Sequence, residues 1–175
     1  MNQREKQSII STLAGAVGLI LIVGVAWFYF KEYRLQTYED PKGRFSISYP
    51  RDWSAVRNVN GAEVIISSPI EGDFDLVKEN LNVVIQDLSA DPLNLEKYSV
   101  IAVKQMQMVF KDNIKIEEAV EDSLSGLPAF RFVFTGKGNP SDVKYYMVWT
   151  IKGTKAYQVT FLSPVSQFER YTDKV

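Results

Sequence analysis

The sequence contains neither cysteine nor histidine. Without cysteine the chain can form no disulfide bond, no thiolate metal site, no lipid-modified N-terminal cysteine and no thiol nucleophile. Without histidine it lacks the commonest general base, the Ser-His catalytic pair and the imidazole ligands of most zinc sites. No G-x-S-x-G motif occurs, and Gly136-Lys137-Gly138 lies between two predicted strands, as in a hairpin turn and unlike a phosphate loop. We therefore expect no enzyme, and we assign no catalytic or cofactor-binding residues.

Charge is missing from one long stretch, residues 9–30, in a chain with 20 basic and 21 acidic residues. As a helix this stretch would span about 33 Å, enough to cross the hydrocarbon core of a bilayer. Its end, Trp27–Phe30, is aromatic and is followed by Lys31, as is typical of the headgroup region. We predict a single-pass transmembrane anchor that follows the N-terminal flank 1–8 and precedes a tether at 31–37. A signal peptide is the disfavoured alternative, because cleavage there would leave an exposed aromatic terminus.

The remaining residues, 38–175, predict one domain built mostly of strands. Asp40-Pro41-Lys42-Gly43 has the residues of a type I turn, and Asn60-Gly61 is a strong hairpin signal. Apolar and polar residues alternate in predicted strands around Tyr38 and at 44–49, 54–59, 62–68, 81–88, 114–124, 129–135, 143–151 and 156–162.

Two helices interrupt or follow these strands. The first is predicted after Asp91-Pro92, where Asp would cap it, and a second from Ser166, which forms a capping box with Glu169. The predicted packing face of the first helix consists of Tyr98, Ile101, Ala102, Gln105, Met106 and Val109. Strands joined by short turns predict an α+β fold, an antiparallel sheet flanked by helices.

The stretch YEDPKGRFSISYPRDW resembles the opening of the PsbP family. That family includes the extrinsic proteins of the photosystem II oxygen-evolving complex and DcrB-like bacterial envelope proteins. The resemblance extends over residues 38 to about 170, through a Leu-Glu-Lys-Tyr helix and a Gly-Leu-Pro-Ala turn. The signature residues are structural: Asp40, Pro41, Gly43, Phe45, Tyr49, Pro50 and Trp53.

The resemblance implies a PsbP-like α-β-α sandwich and an extracytoplasmic domain, in the periplasm, in a lumen or at the cell surface. The flanking basic residues do not by themselves decide the orientation. Family members are often held as lipoproteins through a cysteine, whereas this chain carries an apolar anchor. The histidines associated with metal binding in plant members are absent, and we expect Val175 to lie inside the last helix, as in a truncated form.

Acidic residues provide the candidate metal ligands. Glu71, Asp73 and Asp75 offer carboxylates to calcium or manganese, although the spacing is not that of an EF-hand and a solvated loop is the competing interpretation. A second acidic stretch contains Glu117, Glu118, Glu121 and Asp122. Simple alternation would put Glu117 and Glu121 on one face of a strand and the other two on the opposite face, so we expect a solvated edge.

Six aromatic residues could line a ligand cleft, although core packing is the competing explanation: Tyr49, Trp53, Tyr145, Trp149, Tyr157 and Phe161.

We expect a non-enzymatic, membrane-anchored accessory, assembly or stabilising module for an integral membrane protein or complex. The alternative is an envelope domain that binds a small ligand, lipid or cation in a cleft of the sheet. The near-neutral composition, with a formal net charge of -1, gives no indication of nucleic-acid binding.

Overall fold

The computed structural model describes residues 35–72 and 77–171. The strands in these ranges are β1 (Leu35–Glu39), β2 (Ser46–Pro50), β3 (Ser54–Val59), β4 (Ala62–Ser67), β5 (Asn80–Asp87), β6 (Ile114–Leu124), β7 (Leu127–Gly136), β8 (Val143–Lys152) and β9 (Lys155–Pro164). A single α-helix, α1 (Leu95–Phe110), follows β5, and two short 3₁₀ helices are formed by Lys111–Asn113 and Phe168–Arg170.

Seven strands form one sheet in the order β3-β4-β5-β9-β8-β7-β6, and β1 pairs only with β2. Every pairing is antiparallel. The predicted antiparallel sheet is therefore confirmed, and so is each predicted strand, within a few residues at its ends. β1 begins at Leu35, inside the stretch 31–37 that we expected to be a tether.

Both predicted hairpin turns form. In the first, the N–H of Gly43 donates to the carbonyl of Asp40 at 2.8 Å, and Gly43 has a φ of 65°. In the second, Asn60 and Gly61 have φ values of 53° and 84°, the left-handed conformations that a two-residue turn of this twist requires. These turns fix the pairing of β1 with β2 and of β3 with β4.

Helix α1 covers one face of the sheet. Its N-cap is Asn94, whose side-chain oxygen accepts from the backbone N–H of Lys97 at 2.9 Å, so the predicted start at Asp91-Pro92 is wrong. The packing face also differs from the predicted one: Ile101, Gln105 and Val109 are exposed. Ser99 is buried instead, and Leu95, Val103 and Phe110 pack against the cluster below the helix. The buried cluster between helix and sheet consists of Leu88, Tyr98, Ala102, Phe132, Phe134, Met147, Trp149 and Ala156.

The hairpin β1–β2 covers part of the opposite face. The buried cluster there consists of Tyr49, Trp53, Val64, Ile66, Leu81, Val83, Phe161, Phe168 and Tyr171. In the described residues this second layer is therefore a β-hairpin with the turn Phe168–Arg170, and the layer of a sandwich that we expected to be helical is not seen there. Ser166 lies in a turn, and Gln167 makes no side-chain capping bond. The rest of the predicted last helix, 172–175, lies outside the described residues.

The two ends of the sheet differ. Trp53 N–H donates to the Pro50 carbonyl at 3.1 Å, so the open end of the hairpin, where Leu35 pairs with Pro50, lies where β3 begins. The strand registers place the loop after β4 and the β7–β8 loop at this same end. We call it the tether end, because the chain enters the domain there. The distal end carries the turns at 40–43 and 60–61.

Among residues 35–72 and 77–171, no helix is long and apolar enough to cross a bilayer. The predicted anchor, 9–30, lies outside the described residues.

Candidate functional site

A cleft of about 460 Å³ lies between β2 and the uncovered half of the sheet face. Its floor is apolar and comes mainly from β5 and β9: Leu81, Val83, Val159 and Phe161. Four of the six aromatic residues that we considered for a cleft line it, namely Tyr49, Trp53, Tyr157 and Phe161. The other two lie on the opposite face of the sheet, where Trp149 is buried against α1 and Tyr145 packs against the same buried cluster.

One wall of the cleft is β2 itself. Every residue of β2 lines the cleft, and no residue of β1 does. The cleft therefore runs along the edge of β2 that is not paired with β1. The opposite wall comes from the β6–β7 turn, through Leu124, Ser125 and Leu127, and from the end of β8, through Thr150 and Lys152.

Arg44 closes the distal end of the cleft. Its guanidinium donates to both carboxylate oxygens of Asp40, at 2.7 and 2.8 Å, and to both of Glu63, at 2.7 and 2.6 Å. Asp40 also accepts from the backbone N–H groups of Lys42 and Arg44, each at 3.2 Å. Because Asp40 belongs to the β1–β2 turn and Glu63 to β4, Arg44 fixes the hairpin to the sheet.

This arrangement shifts the ionisation of its members. Hydrogen bonds from the Arg44 side chain, against the opposing effect of burial, lower the pKa of Asp40 from 3.8 to about 2. Hydrogen bonds from the Arg44 side chain to Glu63 likewise lower the pKa of Glu63. The two carboxylates in turn raise the pKa of Arg44 far above its ordinary value. All three groups are therefore charged at neutral pH, and their charges are internally paired.

Aromatic side chains close the tether end of the cleft. Trp53 meets Tyr171 edge-on, with ring centroids 5.6 Å apart, and stacks near Phe161 at 6.5 Å. Burial is the main cause that raises the pKa of Tyr171, helped by the nearby carboxylates of Glu79 and Glu71. Tyr171 therefore stays a neutral phenol and a hydrogen-bond donor.

Glu71, the first residue of the predicted acidic loop, lies at the tether end and does not line the cleft. Glu71 accepts hydrogen bonds from Arg170 and from the hydroxyl of Tyr171 at 3.3 Å, so its carboxylate already has protein partners. Asp73 and Asp75 lie outside the described residues. In the part of the chain that the structure describes, no three acidic side chains come together as metal ligands would.

The second acidic stretch departs from simple alternation because β6 contains a bulge between Ile116 and Glu118. Glu117 bonds to Lys144 at 2.8 Å and to Thr135 at 2.7 Å. Arg131 bonds to Glu118 and to Asp122, each at 3.0 Å.

Thr135 and Arg131 lie four residues apart on β7, so they share a face, and Glu117 therefore lies on the face of Glu118 and Asp122. Our assignment of Glu117 to the opposite face was wrong, because the bulge adds one residue to the alternation. Each of the three carboxylates has a basic partner.

The cleft has the chemistry of a binding site. Its lining contains apolar and hydroxyl side chains and two cations, Arg44 and Lys152, and no carboxylate. Sequence reasoning found the aromatic residues and missed Lys152, because nothing in its local sequence marks it as near β2.

Comparison with known proteins identifies related folds. A family model described as PsbP matches residues 33–174. The solution structure of cyanobacterial PsbP (CyanoP) from Synechocystis sp. PCC 6803 is similar with a TM-score of 0.59 and 17% identity, over 79% of this chain and 85% of that chain. A comparison with curated proteins gives no match.

Two further structures share the fold. LpqN of Mycobacterium tuberculosis, described as involved in cell envelope biogenesis, is similar with a TM-score of 0.59 and 12% identity, over 83% of this chain and 88% of that one. The Ran-binding protein Mog1p of Saccharomyces cerevisiae is similar with a TM-score of 0.53 and 14% identity, over 78% and 83% of the two chains. At these identities the similarity shows a common fold.

Proposed function

Because the chain belongs to the PsbP family, we propose that it is a non-enzymatic accessory module that residues 9–30 anchor in a membrane. The domain lies on the extracytoplasmic side and docks on an integral membrane protein or complex. Docking uses the tether end of the sheet.

The observation that carries this proposal is where the chain enters the domain. Leu35, the first residue of β1, follows Phe30 by five positions. Five residues span at most about 18 Å even when fully extended. An anchor that ends at Phe30 therefore holds the tether end close to the headgroups and turns the distal end away from the bilayer.

Side chains at the tether end suit a contact with a protein near the membrane. The large apolar side chains that are exposed there include Leu35 (52%), Ile70 (63%) and Val165 (46%). Exposed apolar side chains that gather at one end of a domain are typical of interaction surfaces. Two charged residues, Glu71 in the loop after β4 and Lys137 in the β7–β8 loop, lie at this end as well.

Tethering also provides a physical advantage. A domain held within a few nanometres of its partner binds at a high effective concentration, so modest contacts suffice. The related folds give support of a general kind: CyanoP is named as a PsbP protein, and Mog1p is named as a protein that binds another protein.

A charge reversal at each end of the domain tests the docking surface. Lys137 is exposed in the β7–β8 loop at the tether end, and Lys97 is exposed near the start of α1, toward the distal end. We expect Lys137→Glu to reduce the amount of membrane partner that co-purifies with the full chain, and Lys97→Glu to leave it unchanged. Equal loss with both variants, or with neither, would contradict docking through the tether end.

Topology is tested separately. Protease added to intact spheroplasts should degrade the domain if it is extracytoplasmic, and a domain that is spared would place it in the cytoplasm. N-terminal sequencing of the mature protein should show that 9–30 is retained. A sequence that begins near Trp27 would rule out the anchor.

A further inference from the structure

β2 has one edge without a partner. It pairs with β1 along one side, and the two strands form a sheet of their own. Within the described residues, no backbone hydrogen bond other than those to β1 involves Ser46, Ile47, Ser48 or Tyr49. Because every residue of β2 lines the cleft, the N–H and C=O groups on its unpaired edge face the cleft.

These backbone groups restrict what can occupy the cleft. A hydrocarbon chain would bury unpaired N–H and C=O groups, and each such group costs free energy when it loses water without gaining a partner. An extended peptide pairs with them, because an exposed strand edge is a ready template for another strand. The edge of β2 therefore favours a peptide over a lipid.

The floor of the cleft suits one face of an added strand. Side chains of a strand alternate, so every second residue of an added peptide would face the sheet. On that side lie the apolar groups of Val83, Val159 and Phe161. The volume of about 460 Å³ is enough for a few side chains and for the main chain that joins them.

The position of the basic residues in the cleft indicates in which direction a bound peptide would run along β2. Of the two cations that line the cleft, Arg44 is already paired with Asp40 and Glu63. Lys152 is exposed and has no ion pair in the described part of the chain. Lys152 lies at the distal end of β8, the end at which β2 begins with Ser46. A strand antiparallel to β2 would place its C-terminal part there.

We propose that the cleft binds an extended peptide segment of a partner protein, which adds to the free edge of β2 in antiparallel orientation. The segment has apolar side chains at alternate positions and a carboxylate near its C-terminal end, beside Lys152. This site is separate from the tether-end surface, so different variants test the two proposals.

The test uses the full chain in phosphatidylcholine nanodiscs, against a library of random heptapeptides displayed on phage. We expect enriched peptides to alternate apolar and polar residues and to carry Asp or Glu near the C-terminal end. An enriched peptide should slow hydrogen exchange of the backbone amides in Ser46–Tyr49. Failure to enrich any peptide, or enrichment without protection of β2, would overturn the proposal.

N-methylation separates strand addition from simple apolar contact. Two isomers of an enriched peptide are compared. In the first isomer the methyl groups lie on the alternate amides that face β2, and in the second they lie on the intervening amides at the outer edge. We expect the first isomer to bind at least about tenfold more weakly, since two or three hydrogen bonds are lost. Equal binding of the two isomers would rule out pairing with β2.

Variants of the protein test the charge. Lys152→Glu should weaken binding of an acidic peptide by roughly tenfold at low salt and less at high salt, whereas Lys97→Glu, the matched control, should not. Other occupants have their own outcomes, and each would overturn the proposal. If the β2 amides were protected from hydrogen exchange without peptide, and if this protection were lost in lipid-free amphipol, the occupant of the cleft would be a lipid. Protection that accompanies dimerisation would assign it to a second copy of the chain.

Discussion

Replacing Arg44 with Met should detach the hairpin β1–β2 from the sheet at the distal end of the cleft. Methionine keeps most of the apolar stem and removes the guanidinium. The substitution therefore removes the hydrogen bonds from Arg44 to Asp40, at 2.7 and 2.8 Å, and to Glu63, at 2.7 and 2.6 Å. The Asp40 side chain is only 3% exposed, so it would become a buried carboxylate without its cation.

The expected cost follows from this geometry. Removing one partner of a buried ion pair costs about 3–5 kcal/mol. Asp40 would keep two backbone N–H donors at 3.2 Å, and the Glu63 side chain is 21% exposed, so water can solvate it. We therefore expect the free energy of unfolding of Arg44→Met to fall by about 3 kcal/mol at pH 7.

The loss should depend on pH. The pKa of Asp40 is lowered from 3.8 to about 2 in the folded protein, chiefly by hydrogen bonds from Arg44. A lowered carboxyl pKa stabilises the fold above the unfolded value and ceases to do so as pH falls through the folded value. Lowering the pKa from 3.8 to about 2 corresponds to about 2 kcal/mol. The difference in the free energy of unfolding between wild type and Arg44→Met should therefore decrease by about 2 kcal/mol as the pH is lowered from 5 to 2.

Urea unfolding of the full chain in phosphatidylcholine liposomes, followed by tryptophan fluorescence, measures both effects. Arg57 on β3 is exposed and provides the matched control, since Arg57→Met should change the free energy of unfolding by less than about 0.5 kcal/mol. The reasoning would be refuted by a loss below about 1 kcal/mol at pH 7, or by a loss that stays constant down to pH 2.

The same unfolding assay tests three further changes. Ser99→Ala leaves the buried indole N–H of Trp149, which now donates to the Ser99 hydroxyl at 2.8 Å, without a partner, and should cost about 2 kcal/mol; no loss would show that the bond is unimportant. Ser68→Ala removes a buried hydroxyl that has no hydrogen-bond partner in the described residues, so stability should rise by up to about 1 kcal/mol, and a clear fall would contradict this. Gly61→Ala strains a residue with φ of 84° and should cost about 1 kcal/mol, whereas an unchanged midpoint would show that the turn can relax.

Local patterns predicted the strands and turns because they depend on neighbouring residues. Alternation along a strand is decided by which side chains face the core, and the turns by Asp40-Pro41 and Asn60-Gly61. The first residue of α1 is harder to predict from the sequence, because both Asp91 and Asn94 are good capping residues. Only the packed structure shows that Asn94 caps the helix.

Long-range contacts explain what the sequence could not predict at the site. The pattern of β1 and β2 predicts a hairpin equally well whether it continues the sheet or packs across its face. It packs across the face, and this placement creates the cleft. Ser46 and Lys152 both line that cleft although they are 106 positions apart in the sequence. No local pattern could bring them together.

The signature stretch nevertheless bears on the site, because its residues hold the wall of the cleft at both ends. At the distal end Asp40 and Arg44 join the turn to Glu63 of β4. At the tether end Trp53 packs against Phe161, beneath the end of β2. The strand between these two attachments is therefore held beside the sheet with its outer edge unpaired. A stretch that is typical of a fold thus also sets the width of a binding cleft, while residues outside it, such as Lys152, set what the cleft binds.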